Sequence, residues 1–317
     1  MKKNKKFKLL IILALLIIAT GCTKTLEGED KKAVTNPETG QSLTANILCQ
    51  PEDEKVREKY TENGVDLDKL PKCSEFKVTS GGYEGLWDSL FIKPLAWVIL
   101  NIGNIVKSSA IALIITSILI RLVAYPVTKK TAMQSELLKK AQPELERLEK
   151  KYQNKTDQES MMRKSQEMTM IYKKYNINPV SGCLYAFLQL PLFIAFLEAI
   201  NRVPALFEES FLTMQLGTTP SVGLLTNHNF VYLILVALIG VTTYYSFKLN
   251  KTTADTKNDP MANMTTMMTG MILVMSFFMP AALCIYWLTT NLFTVIQNLL
   301  VKRSKEVWKN MNTQENH

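Results

Sequence analysis

Ser108–Lys130 reads SSAIALIITSILIRLVAYPVTKK. The run is long and apolar enough for a helix across a bilayer core of about 30 Å. One permanent charge, Arg121, sits inside it. An arginine at the centre of a spanning helix costs about 2.5–3.5 kcal/mol on insertion-based scales. A chain keeps such a residue when something offsets that cost or uses the charge. Two readings of Arg121 stand on chemistry alone. It lies five residues before Pro126, about 7.5 Å along a helix, so its long side chain can snorkel to the nearer interface. Alternatively, it lines a wet cavity within the membrane.

The 317 residues carry a formal net charge of +9. In a soluble protein that excess would raise nucleic-acid binding. Here the apolar residues gather into long runs and the bases flank them, so the positive-inside rule explains the charge better. The two histidines, His228 and His317, are far apart, and the five cysteines lack metal-site spacing; no metal and no cofactor is expected. The chain has no phosphate-binding glycine loop, no HExxH and no GxSxG. Glu198 stands alone near the end of an apolar run, so no span holds an acidic pair. The chain is therefore not read as an enzyme.

Before the first span the sequence falls into three parts. Residues 1–21, a basic head followed by LLIILALLIIATG, form a secretory signal peptide too short to span well. Ala19-Thr20-Gly21-Cys22 resembles the lipobox of bacterial lipoproteins, in which the cysteine thiol is diacylated; the alternative is an uncleaved anchor. Residues 22–82 are polar, mixed in charge and without sustained periodicity, which predicts a flexible extracytoplasmic tether. Cys49 and Cys73 lie there, either as a disulfide or as two thiols. Residues 83–107 carry Trp87, Leu90, Phe91, Leu95, Val98, Ile102 and Ile105 at helical spacing, with Asp88, Ser89, Lys93 and Asn104 opposite. This predicts an amphipathic helix in the outer interface, kinked or divided at Pro94.

Beyond the first span, residues 129–178 hold twelve Lys or Arg against seven Asp or Glu. Two apolar stripes flank the polar turn Asn154-Lys155-Thr156-Asp157, predicting a cytoplasmic helical hairpin bent at Pro143. Four further spans are expected: Ser181–Ile200, His228 or Asn229–Phe247, Met261–Met279 and Ala281–Leu300. The loop after the second span has one base, Arg202, beside Glu208 and Glu209; the next has Lys248, Lys251 and Lys257. Residues 303–317 form a basic tail. This alternation places the N-terminus outside and the C-terminus inside, in agreement with an exported, lipidated Cys22.

Polar residues within spans are informative because lipid cannot satisfy them. Ser117, Arg121 and Thr128 share a face of the first span, and Gln189 shares one with Ser181 in the second. Trp287, Asn291, Thr294 and Asn298 form a stripe in the fifth, bordered by Thr290 and Gln297. Facing inward, these residues either line a wet cavity around Arg121 or hydrogen-bond between helices.

IRLVAYPVTKKTAMQ, QPELERLEKKY, NPVSGCLYAFLQLPLFIAF and MPAALCIYWLTTNLFTVIQ, taken in order, resemble the YidC/Oxa/Alb membrane protein insertases, in the short lipoprotein form of Gram-positive bacteria. The resemblance covers about Tyr83 to Lys302; Ala282 stands where that family commonly has glycine. It implies an all-α membrane protein with five transmembrane helices around a hydrophilic groove open to the cytoplasm. Residues 108–302 would form this core, with Arg121, Gln189, Trp287, Asn291 and Thr294 as the client-binding groove. It implies an insertase and chaperone for membrane proteins in the bacterial plasma membrane, working with or without the Sec translocon. Nascent membrane proteins, the ribosome, signal recognition particle machinery and membrane lipids would be partners, with no nucleic-acid binding beyond ribosome contact. A small-solute transporter or channel is the alternative.

Overall fold

In a computed structural model, residues 23–178, 180–249 and 264–314 are described, with backbone alone at 180–188, 264–265 and 304–314. The helices are α1 (Glu54–Glu62), α2 (Lys93–Val106), α3 (Ser109–Tyr152), α4 (Gln158–Lys174), α5 (Val180–Asn201), α6 (Ala205–Glu208), α7 (Pro220–Leu225), α8 (Val231–Leu249), α9 (Met264–Ser276) and α10 (Ala281–Gln314). One antiparallel hairpin pairs β1 (Ser210–Phe211) with β2 (Met214–Gln215). Among the described residues, four helical stretches are long and apolar enough to cross a membrane: Asp88–Val106, Ser109–Tyr152, Val231–Leu249 and Ala281–Arg303. The second and fourth expected spans correspond to α5 and α9, whose fully described apolar stretches, Gln189–Asn201 and Thr266–Ser276, are shorter. The signal peptide and Cys22 lie outside the described residues.

The chain divides into two compact units. The first comprises Met1–Leu119, Gln189–Ala237 and Met275–Trp287. Its N-terminal part corrects the expectation of a flexible tether. Leu26, Leu43, Ile47, Val56, Tyr60 and Leu67 form a buried cluster. Isolated bridges join Thr25 to Thr44, Glu27 to Ala33 and Thr35 to Ser42. Asp53 caps α1, its side chain accepting from the Val56 amide at 3.0 Å. Cys49 and Cys73 are joined as a disulfide, both buried, with Cα atoms 4.8 Å apart. Six apolar residues at irregular spacing thus make a small core, of the kind that a disulfide commonly reinforces.

Glu208 and Glu209, read from the sequence only as loop charges, close backbone ends in this unit. Glu208 accepts from the Glu52 amide at 3.0 Å and the Asp53 amide at 3.3 Å; burial pushes its carboxyl above the usual carboxylate range. Glu209 accepts from the Ser109 amide at 2.7 Å and hydroxyl at 2.5 Å. A helix start has unsatisfied N–H groups and a positive dipole end, and Glu209 supplies both an acceptor and a negative charge to α3. The start of α10 is closed similarly. The Ala281 amide donates to Thr218 O and the Ala282 amide to Leu216 O, each at 3.0 Å. Ala282 is buried and does not adopt a left-handed backbone, so this turn does not demand glycine. Gly223 of α7 is different: a Cβ there would lie 2.3 Å from the Tyr232 ring.

Pro94 does not divide its segment: Asp88–Val106 is one helical stretch, π-helical over Asp88–Ile92 and α-helical from Lys93, with the proline in the first α-turn where no backbone donor is lost. The predicted polar face is corrected. Asp88 and Lys93 are buried, while Leu90, Phe91 and Ile105 are exposed.

The second unit comprises Ile120–Leu188, Leu238–Val274 and Leu288–His317. The expected hairpin is present, but its first arm is the continuation of the first span. α3 runs unbroken through Pro126 and Pro143. After a turn with Asn154 in the left-handed region, Asp157 caps α4, accepting from the Ser160 amide at 2.8 Å. Leu138, Ala141 and Leu145 pack against Met168, Ile171, Tyr172 and Tyr175. Lys174 Nζ and Tyr175 OH donate to Glu144 at 2.5 and 2.8 Å; Lys151 Nζ and Tyr152 OH donate to Glu167 at 2.6 and 2.9 Å. These donors, the lysine first in each case, hold both carboxyls below the usual carboxylate range.

Candidate functional site

The spans carry apolar residues outward and polar residues inward, the reverse of a protein folded in water. On α3 of the second unit, Leu122, Val123 and Val127 are exposed, while Arg121, Thr128, Thr131 and Ser135 are buried. On α8, Leu238 and Val241 are exposed and Thr242, Thr243 and Ser246 buried. On α10, Leu292, Ile296 and Leu299 are exposed and Thr290, Thr294, Gln297 and Asn298 buried. Burying polar groups is costly unless they are hydrogen-bonded, and exposing this much branched apolar surface is unfavourable in water. Both choices are appropriate where the surrounding solvent is lipid.

The helices satisfy this interior in two ways. Hydroxyls bond back to their own helix: Thr294 Oγ1 donates to Thr290 O at 2.8 Å and Thr242 Oγ1 to Leu238 O at 2.7 Å. Amides reach between helices: Asn291 Nδ2 donates to Thr243 Oγ1 at 2.6 Å, and Gln297 Nε2 to Thr128 Oγ1 at 2.9 Å. Of the two readings of the polar stripe, Asn291 makes the interhelical bond. Arg121 is 5% exposed, two helical turns before Thr128 on the same face of α3.

The expected site residues fall in different units. Arg121, Asn291 and Thr294 belong to the second, Gln189 and Trp287 to the first. Gln189 is half-buried and stands one turn before Phe193, whose ring meets Trp287 edge-on at 4.9 Å. Phe196, a further turn along, stacks on Tyr286 at 4.5 Å. The first unit therefore joins α5 and the start of α10 through aromatic contacts next to Gln189.

One constellation of the first unit escaped the sequence reading. Arg202 is 2% exposed. Its guanidinium bonds to Asp88, to Glu84 at 2.7 Å and to Asn46 O at 2.6 Å. Lys93, also buried, donates to Ser80 O at 2.8 Å and Gly82 O at 2.6 Å, and pairs with Glu84 at 3.3 Å. Trp87 Nε1 reaches Glu198 at 3.3 Å. The available signal was Glu84, Asp88 and Lys93 bordering an apolar helix, but Arg202, the partner of both carboxylates, lies more than a hundred residues away. Among the described residues, no group of three or more His, Cys, Asp or Glu is placed to hold a metal ion.

The 60Kd inner membrane protein family matches residues 101–309, about two thirds of the sequence. A membrane protein insertase YidC of Oceanobacillus iheyensis is 34% identical over 242 residues, covering 74% of this chain and 91% of the relative. The chain belongs to the YidC family of membrane protein insertases. Membrane protein insertase YidC 1 of Listeria monocytogenes is 33% identical over 73% of this chain and 76% of its own length. Membrane protein insertase MisCA of Bacillus subtilis is 33% identical over 68% and 79%. A crystal structure of an active YidC insertase, with its first transmembrane domain resolved, aligns with a TM-score of 0.50 at 21% identity. The alignment covers 76% of this chain and about half, 52%, of that one, and it supports the helical fold. The family is one of insertases and not an enzyme class, which fits a multi-pass membrane protein with these apolar helices.

Proposed function

We propose that this protein moves polar segments of client membrane proteins into and across the bilayer through the buried polar faces of its spans, with Arg121 supplying the charge. The observation that carries this reading is the buried set on α3, α8 and α10, hydroxyls and amides together with one arginine, on helices whose outer faces suit lipid. A permanent cation in a low-dielectric setting attracts a carboxylate far more strongly than it does in water. An acidic residue in a client's outer segment is drawn to Arg121, and polar side chains replace part of its hydration. The client's apolar helix then partitions into lipid, gaining about 0.8 kcal/mol per buried CH₂, so no nucleotide is required. Gln189 and Trp287 of the first unit, and Asn291 and Thr294 of the second, also contact the client.

The same reading assigns nascent membrane proteins as clients. The Sec translocon, the ribosome, signal recognition particle machinery and lipids are its partners. Cys22 is lipidated, the N-terminus is outside, and the basic hairpin and tail face the cytoplasm. The chain catalyses no covalent step. Nothing in the relatives favours a solute transporter.

Insertion assays on proteoliposomes test the charge. Arg121→Ala is expected to lose insertion of clients with acidic outer segments, and Arg121→Lys to retain most of it. Normal insertion by both variants would remove the arginine from the mechanism.

A further inference from the structure

Between α5 and α8, the β1–β2 hairpin turns through Leu212 and Thr213, with φ of 48° and 69°. A two-residue turn with both residues left-handed is normally Asn-Gly or Asp-Gly. Here the tip carries a leucine that is 68% exposed. Leu225, at the end of α7, is 74% exposed, and Phe230, at the start of α8, 68%. These three residues come from three elements fastened at Asn229. Its Nδ2 donates to Thr213 O at 2.8 Å, its amide to Gly223 O at 2.9 Å, and its Oδ1 accepts from the Val231 amide at 3.0 Å. Tyr232 OH adds a bond to Gln215 O at 3.0 Å. The apolar tips are thus exposed on a braced frame.

The frame also identifies what covers them. Phe230 continues onto the first turn of α8, where Leu233 and Ile234 are exposed three and four residues on. That stripe is the lipid-facing side of a candidate span. The residues around the tips, Thr226, Asn227, His228 and Asn229, carry no acidic charge that would oppose a headgroup layer. Glu208 and Glu209, the acids of this loop, are occupied as backbone caps.

We propose that Leu212, Leu225 and Phe230 form a lipid-interface anchor, inserting into the membrane leaflet at the N-terminal end of α8. Apolar groups at such an interface reach about 5–10 Å into the boundary between headgroups and chains. The anchor fixes the level of this loop at the bilayer surface. It rests on the reading of α8 as a membrane span.

The test is tryptophan fluorescence of the full-length protein in phosphatidylcholine vesicles, with and without lipid brominated near the headgroup end of the chains. The native tryptophans contribute equally to parent and variants and are subtracted. Emission added by Leu212→Trp, or by Leu225→Trp as a second position, should be mostly quenched by bromolipid and spared by aqueous iodide. Quenching of both by iodide and not by bromolipid would overturn the anchor and leave the tip as a water-exposed surface for a protein partner. Ile234→Trp separates the two readings. Bromolipid quenching at Ile234 without quenching at the tips rejects the anchor alone, whereas no quenching at Ile234 rejects the span beneath it.

Discussion

Arg202 in the first unit and Arg121 in the second are both almost fully buried, at 2% and 5% exposure. They sit in different chemistry. Arg202 is enclosed by the carboxylates of Glu84 and Asp88 and the Asn46 carbonyl, so its charge is matched within the fold. Arg121 shares its helix face with hydroxyls, Ser117 and Thr128: Ser117 donates to Leu113 O, and Thr128 donates to Tyr125 O, one turn back, while accepting from Gln297 Nε2. Arg202 is thus a structural fastening, whereas Arg121 is the charge that the proposed insertion mechanism uses. Burial alone does not distinguish them.

The largest expected effect breaks the first arginine. Removing one partner of a buried ion pair typically costs about 3–5 kcal/mol, because the other charge is left uncompensated. Arg202→Ala should therefore open the segment before α2 to protease and lower its unfolding midpoint, while Arg121→Ala leaves that protection intact and lowers insertion. Equal protease sensitivity in the two variants would erase the contrast. Next is the disulfide near Arg202's carbonyl partner. Replacing Cys49 and Cys73 by serine opens a link with a sequence separation of 24, worth about 3 kcal/mol by loop closure. The shift in denaturant midpoint for the double variant, matched by reductant on the parent, measures it.

The smallest effect belongs to the hairpin of the second unit, where ion pairs are solvated. Glu144 and Glu167 have carboxyls held below the usual range, so they contribute stability above the unfolded carboxylate value of 4.5, and that stability is lost as pH falls below it. Hydrogen exchange in α4 should rise on acidification from neutral pH, and less so in Glu144→Gln combined with Glu167→Gln. High salt should act in the same direction.

The sequence made the helices legible because length and apolar content suffice for a span, and Arg121 because a charge in an apolar run is conspicuous. The family followed from four ordered runs. The buried polar faces of α3 and α10 were also readable, since 3.6-residue spacing is local. What was missed is long-range. The core of the N-terminal part has no period to detect, and the Arg202 cluster joins side chains that sequence spacing cannot bring together. Glu208 and Glu209 look like loop charges in the sequence because capping depends on where Asp53 and Ser109 lie in space. Asp88 and Lys93 look water-facing in the sequence because a helix face predicts orientation, not whether another charge waits there.

Gly223 and Tyr232 carry a consequence for how this sequence can change. Any Cβ at position 223 would fall 2.3 Å from the tyrosine ring, and the tyrosine is fixed through its hydroxyl to Gln215 O. Neither position is free to drift alone. A side chain at 223 becomes tolerable only after the ring at 232 has been trimmed, and trimming it first surrenders the bond to β2. The two sites, nine residues apart, should therefore vary together in descendants of this chain, with the change at 232 preceding the change at 223.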